Sequence, residues 1–186
     1  MDSGGCGGSG RRDLDKYAYL KNPQISKMPG QKMIVVEVKG DPNVVGGDTF
    51  KALYGMFFRL KAQGKKMAAP RARWPNLLSK PKNEWIGIYG LPVPDSVQRL
   101  PEQKDKFLPE VKIETWNYGE VAEILHTGSY GGETATIETL QKFIEDSGYK
   151  ITGYHEEEYL KGPGLFTKPS QYKTIIRYCV KSRKKK

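Results

Sequence analysis

Cysteine and histidine are scarce in this chain, at two of each in 186 residues. Cys6 lies in a glycine-rich start and Cys179 in a stretch that reads as a strand, so no disulfide framework is expected, and neither spacing suits a metal site. Long apolar runs are missing too. Met33 to Val36 and Leu53 to Phe58 fall far short of the roughly 20 residues that a membrane-crossing helix requires, so no membrane span is expected. The opening MDSGGCGGSG has neither the basic start nor the apolar run of a secretory leader, and the expectation is a cytoplasmic protein. No helix-turn-helix pattern precedes residue 33, which argues against a DNA-binding domain.

Acidic residues are outnumbered, 21 against 31 Lys and Arg, giving a formal charge of +10. Such an excess invites a nucleic-acid reading through counterion release. Much of it sits at the ends, however: Arg11 and Arg12 near the start, and Lys181, Arg183, Lys184, Lys185 and Lys186 at the finish. Charge runs at chain ends are usually solvated, so the distribution weighs against nucleic acid as a partner. Length and composition fit one globular domain. The expected division is a flexible segment over 1–29, a domain over 30–181 and a basic tail over 182–186.

Met33 to Val38 reads MIVVEV, a strand, closed by the turn-forming Gly40-Asp41-Pro42-Asn43. Phe50, Leu53, Tyr54, Phe57 and Leu60 then recur at helical spacing, predicting a helix over 49–63. A proline-bearing loop over 67–81 and a strand over 84–91 follow, and 91–109, with four prolines, reads as a connection. The second half repeats the order. Strands are expected over 112–118 and 120–127, a helix over 134–147, and strands over 150–160 and 172–180. Strand, helix and strands thus occur twice, which predicts an α+β fold with both helices on an antiparallel sheet.

VAEILHTGSYGGE, GYHEEEYL and YKTIIRY, in that order, resemble the C-terminal half of GyrI-like small-molecule-binding proteins, and VKGDPN with the LYGMFF helix resembles their N-terminal half. The similarity covers about residues 30–181. It implies duplicated β-α-β-β units forming a curved antiparallel sheet with two helices and a central cleft, as in GyrI-like and SOUL-like folds. Some members of the family are effector domains of multidrug-responsive regulators or a gyrase inhibitor. A standalone branch is associated with hydrolysis of cyclopropane-bearing genotoxins, and TIIRY resembles that branch. Isoleucine in Thr174-Ile175-Ile176-Arg177 stands where multidrug-sensing members often carry an acid, which argues against a dedicated cation sensor.

The family's Glu-x-Tyr strand falls on Glu157 and Tyr159, and alternation puts His155 on their face and Glu156 and Glu158 on the other. Glu157 is the candidate base for water, because a carboxylate against aromatic walls is a better proton acceptor. Tyr130, Tyr159 and Tyr118 are candidate donors to a developing oxyanion, Tyr130 and Tyr159 foremost, although most of the eleven tyrosines must be structural. Tyr54, Trp85, Tyr89, Trp116 and Tyr118, with Glu123 as a polar member, are the expected ligand-binding walls. Phe57 reads as core, Trp74 as a lid or loop pin, and His126 as a structural histidine. Ser129 follows His126 too closely for a Ser-His-Asp arrangement. The chain therefore reads as a cleft protein for hydrophobic or cationic small molecules, with no cofactor or metal called for. Hydrolysis of electrophilic compounds comes first, with non-catalytic drug binding or a gyrase-inhibitor-like interaction as alternatives.

Overall fold

The computed structural model describes residues 14–183 except 63, 78 and 165, so Cys6, the glycine-rich start, Arg11, Arg12 and Lys184 to Lys186 lie outside the described residues. The elements are β1 (Gln24–Met28), β2 (Gln31–Lys39), α1 (Pro42–Arg59), β3 (Arg71–Trp74), β4 (Ile86–Pro92), β5 (Lys112–Trp116), β6 (Gly119–Thr127), α2 (Thr134–Asp146), β7 (Tyr149–Ile151), β8 (His155–Lys161) and β9 (Lys173–Ser182).

All nine strands pair antiparallel in one strongly curled sheet, in the order β1-β6-β9-β8-β3-β4-β2-β5, with β7 added beside β9. The duplication is plain in that order. One unit is β2-α1-β3-β4 and the other β6-α2-β8-β9; in each, the first strand lies outermost, the third in the middle and the second at the junction. The two second strands, β3 and β8, meet at the centre. The flanking strands are exchanged, since β1 precedes β2 in the chain but pairs with β6, while β5 precedes β6 but pairs with β2. Each half is thereby stitched to the other by chain as well as by hydrogen bonds.

Both helices cover the same face of the sheet. Leu53, Met56 and Phe57 of α1 pack on Ile34, Val36, Tyr89 and Leu91, and Ile137, Leu140 and Ile144 of α2 pack on Ala122, Ile124, Ile176 and Val180. Each fully buried Leu or Ile contributes about 1.5–3 kcal/mol relative to exposure. No helix among the described residues is long and apolar enough to cross a membrane.

Four expectations need correcting. Residues 15–28, assigned to a flexible segment, form a 3-10 turn and the edge strand β1; Leu20 is fully buried against Ala69, Leu160 and Ile175, and that anchor is invisible in a short polar stretch. Helix α1 begins at Pro42 rather than 49, because Asp41 caps it by accepting from the Asn43 N–H at 2.9 Å and Pro42 occupies the first turn, where no amide is needed. The expected loop over 67–81 contains β3, completed by partners on both sides that local sequence does not reveal. The strand expected over 150–160 is two strands, broken around Gly153, whose Cβ position would lie only 3.0 Å from Cys179 Cβ.

The face away from the helices buries charge. Arg177 of β9 reaches Glu123 at 2.7 Å, Glu156 at 2.6 Å and Glu158 at 3.0 Å, while Arg73 pairs with Glu156 at 2.7 Å and Arg71 with Glu158 at 3.1 Å. Three arginines balance three glutamates, so the cluster is neutral. Arg177→Leu leaves three buried carboxylates short of their shared partner, and urea unfolding should show a loss of about 3–5 kcal/mol.

Candidate functional site

Between the helices, over the β3–β8 junction, lies an open cavity of about 1660 Å³. Its aromatic walls come from several elements: Phe50 and Tyr54 from α1, Trp74 from β3, Tyr89 from β4, Tyr159 from β8 and Tyr130 from the turn before α2. They pack edge to face, with Trp74 centred 5.5 Å from Tyr89 and 5.8 Å from Trp85, and Phe50 5.4 Å from Tyr89. Trp85 sits at the rim, its indole N–H donating to the Lys80 carbonyl at 2.8 Å.

Glu157 projects into this cavity and is 7% exposed. Tyr159 donates to its Oε2 at 2.5 Å, and His155 Nε2 lies 3.0 Å from its Oε1. The histidine is set from behind, since Gln141 donates to the Tyr178 hydroxyl at 3.3 Å and that hydroxyl lies 2.9 Å from His155 Nδ1. With its oxygen accepting from Gln141, Tyr178 can give its own proton to Nδ1, which leaves Nε2 to donate to Glu157. Two oriented donors therefore hold the Glu157 carboxylate in one position.

A second carboxyl faces the first. Glu133, immediately before α2, also lines the cavity and is 6% exposed. It lies close enough to feel the charge of Glu157, and its Oε1 is buried without a partner. Burial first, then the charge of Glu157, pushes its pKa to about 9, against a smaller opposing effect of the Thr174 hydroxyl. At neutral pH the Glu133 side chain is a carboxylic acid. His126 fixes the turn that carries it, with Nδ1 2.9 Å from Thr136 Oγ1 and Nε2 3.1 Å from the Ser129 carbonyl. Gly128 enters that turn at φ 145°, where a side chain is strained and its Cβ would stand 3.2 Å from the His126 ring. Glycine at 162 leaves room for the Tyr130 hydroxyl, which a Cβ there would approach to 2.9 Å.

The structure thus brings Glu157, Tyr159, Tyr130, Tyr54, Trp85 and Tyr89 to one cavity. Trp116, Tyr118 and Glu123, expected among its walls, lie on the opposite face. Trp116 is buried under Arg73, whose guanidinium sits 4.0 Å from its ring; Tyr118 donates to Glu156 at 2.9 Å; Glu123 pairs with Arg177. Their assignment rested on residue type, and the side of the sheet was set by pairing register. Trp74 is neither lid nor pin but a strand residue in the cavity wall, opposite His155. His126 is a structural brace, and Phe57 is core.

A model of the GyrI-like small molecule binding domain matches residues 21–181, and the chain belongs to that family. No curated protein matches the sequence. Among solved structures, a hydrolase from Listeria innocua superposes with a TM-score of 0.72 at 21% identity, covering 91% of this chain and 98% of its own. An uncharacterized conserved protein from Listeria innocua gives 0.74 at 22% identity, covering 91% of this chain and 97% of its own. The C-terminal domain of EcmrR gives 0.57 at 15% identity, covering 87% of this chain and 98% of its own. At these identities the likeness is one of fold.

The buried acid has a consequence for stability. Glu133 keeps its proton in the folded state up to about pH 9, whereas in the unfolded chain it loses it near the ordinary value of 4.5. Its contribution is full below the unfolded pKa and is lost as pH rises toward the folded one, at about 1.4 kcal/mol per pH unit. Urea unfolding across pH 5–9 should show Glu133→Gln with a shallower decline than the parent protein, and a relative gain in stability at the alkaline end.

Proposed function

For this member of the GyrI-like family we propose a hydrolase that takes hydrophobic, electrophilic small molecules into the cleft and adds water to them, with Glu157 as the base. The observation that carries the reading is the setting of Glu157: a carboxylate in the wall of an aromatic cavity, fixed by donors from Tyr159 and His155. Each of its oxygens keeps lone-pair capacity for a water molecule. The substrate class is cyclopropane-bearing compounds whose ring is conjugated to a carbonyl, and the benefit to the cell is protection from alkylation. The hydrolase from Listeria innocua among the fold neighbours, and the TIIRY strand, support the same branch.

Glu157 takes a proton from water as the water oxygen bonds to a ring carbon. The strained C–C bond breaks, its electron pair moves through the conjugated system to the carbonyl oxygen, and that oxygen takes up a proton. Tyr159 has its own proton engaged on Glu157, so its part is to hold the base. Tyr130 is the phenol left to steady the developing oxyanion. Burial first, then the charge of Glu157, pushes its pKa to about 12, so it remains a donor at neutral pH.

A second reading, capture of a lipophilic cation without chemistry, has the aromatic walls and the Glu157 charge in its favour. Incubation with a cyclopropyl ketone-type alkylating compound, followed by mass spectrometry, separates the two. Hydrated, ring-opened product is expected from the parent protein, with Glu157→Gln slowed about 10²-fold or more while quenching of Trp74 and Trp85 fluorescence by the compound persists. Saturable quenching with no product in the parent protein contradicts hydrolysis and favours the binder.

A further inference from the structure

Opening a strained ring by water needs a proton at one end of the substrate as well as a base at the other. Tyr130 can donate a hydrogen bond, but a phenol held near 12 is a weak proton source at neutral pH. Tyr159 is engaged with Glu157, and Tyr89, though its hydroxyl lacks a partner, is pushed further up by burial. Glu133 differs from all of them. It is a carboxyl group, lines the same cavity as the base, and has one oxygen buried without a partner.

We propose that Glu133 is the acid of the reaction, giving its proton to the substrate oxygen that gathers charge as the ring opens and then recovering one from Glu157 across the cavity they share. The proposal rests on the reading of Glu157 as base. The proton count closes: water yields one proton to Glu157, Glu133 yields one to the substrate oxygen, and transfer from Glu157 to Glu133 across the pair restores both. The net reaction is substrate plus water giving the ring-opened hydrate, with no other reactant. The two carboxyl groups differ in their partners: Glu157 receives hydrogen bonds from Tyr159 and His155, whereas Glu133 Oε1 is buried without one.

The groups facing Glu133 fit this assignment. From β8 come Glu157 and Tyr159, from β9 Thr174, and from its own turn Tyr130; Lys161 and Lys173 line the same cavity. The charge of Glu157 is the strongest-acting of these and favours the protonated form of Glu133. When Glu157 takes the proton from water, that influence disappears, and Glu133 becomes a stronger acid at the moment its proton is required.

The test is the pH dependence of turnover in Glu133→Gln and Glu133→Asp beside the parent protein and Glu157→Gln, using the same cyclopropyl ketone. The parent rate should fall above about pH 9, as Glu133 ionises. Glu133→Gln should lower kcat about 10²-fold or more, abolish that alkaline limb and leave fluorescence-detected binding within a few fold, with partial recovery in Glu133→Asp. A substrate whose opening releases a weakly basic phenolate should lose less. If Glu157→Gln is inactive but Glu133→Gln keeps its rate and its alkaline limb, Glu133 is not the acid and the base assignment stands. If Glu157→Gln turns over normally, the base reading itself fails, and this proposal with it. Should Glu133→Gln not fold, a parent rate that stays flat through pH 10 overturns the proposal. An infrared band of a protonated carboxyl that persists at pH 7 in Glu157→Gln and ionises at higher pH upholds it.

Discussion

The pairing of β3 with β8 is the constraint from which the rest of the molecule follows. Its register sets Arg71 opposite Glu158, Ala72 opposite Glu157, Arg73 opposite Glu156 and Trp74 opposite His155. Strand alternation then sorts three consecutive glutamates by face. Glu156 and Glu158 turn to the side without helices, where Arg71, Arg73 and Arg177 neutralise them; Glu157 turns to the cleft, beside the small Ala72 and under aromatic rings. A slip of one residue would exchange the faces, placing two acids in the cavity and one among the arginines.

That sorting gives the cleft its chemistry. The two outer glutamates spend their charge within the sheet, while Glu157 and Glu133 place their carboxyl groups in the cavity wall. Glu157 is supplied by the sheet and Glu133 by the start of α2, and each is positioned by a histidine on the helix-covered face: His155 bonds Glu157 directly, and His126 braces the turn leading to Glu133. The duplicated architecture brings these together because its two halves meet at their second strands, leaving the space between the helices above that seam.

Much of this was legible in the sequence. Periodicity located both helices and most strands, and the repeated element order announced the duplication. The resemblance carried by GYHEEEYL put Glu157 and Tyr159 on one face, where the structure also has them. What local pattern could not supply was pairing. Trp116, Tyr118 and Glu123 have the composition of pocket residues, but register assigns them to the arginine face. β3 is four residues long and exists only through its neighbours on both sides. Glu133 follows two glycines and gives no periodic signal of its own; its meaning depends on Glu157, 24 positions away, by the numbering. Leu20 likewise looks like part of a loose leader until the core it fills is visible.

The central claim is that Glu157 delivers water to the substrate rather than attacking it. A single turnover in water enriched in ¹⁸O, with protein in excess over a cyclopropyl ketone, tests this directly by mass spectrometry of both product and protein. Water delivery by Glu157 predicts labelled oxygen in the product of the first turnover and an unlabelled Glu157 carboxylate. Unlabelled first-turnover product, with ¹⁸O appearing in Glu157, would show that the carboxylate itself forms the bond and would contradict the account.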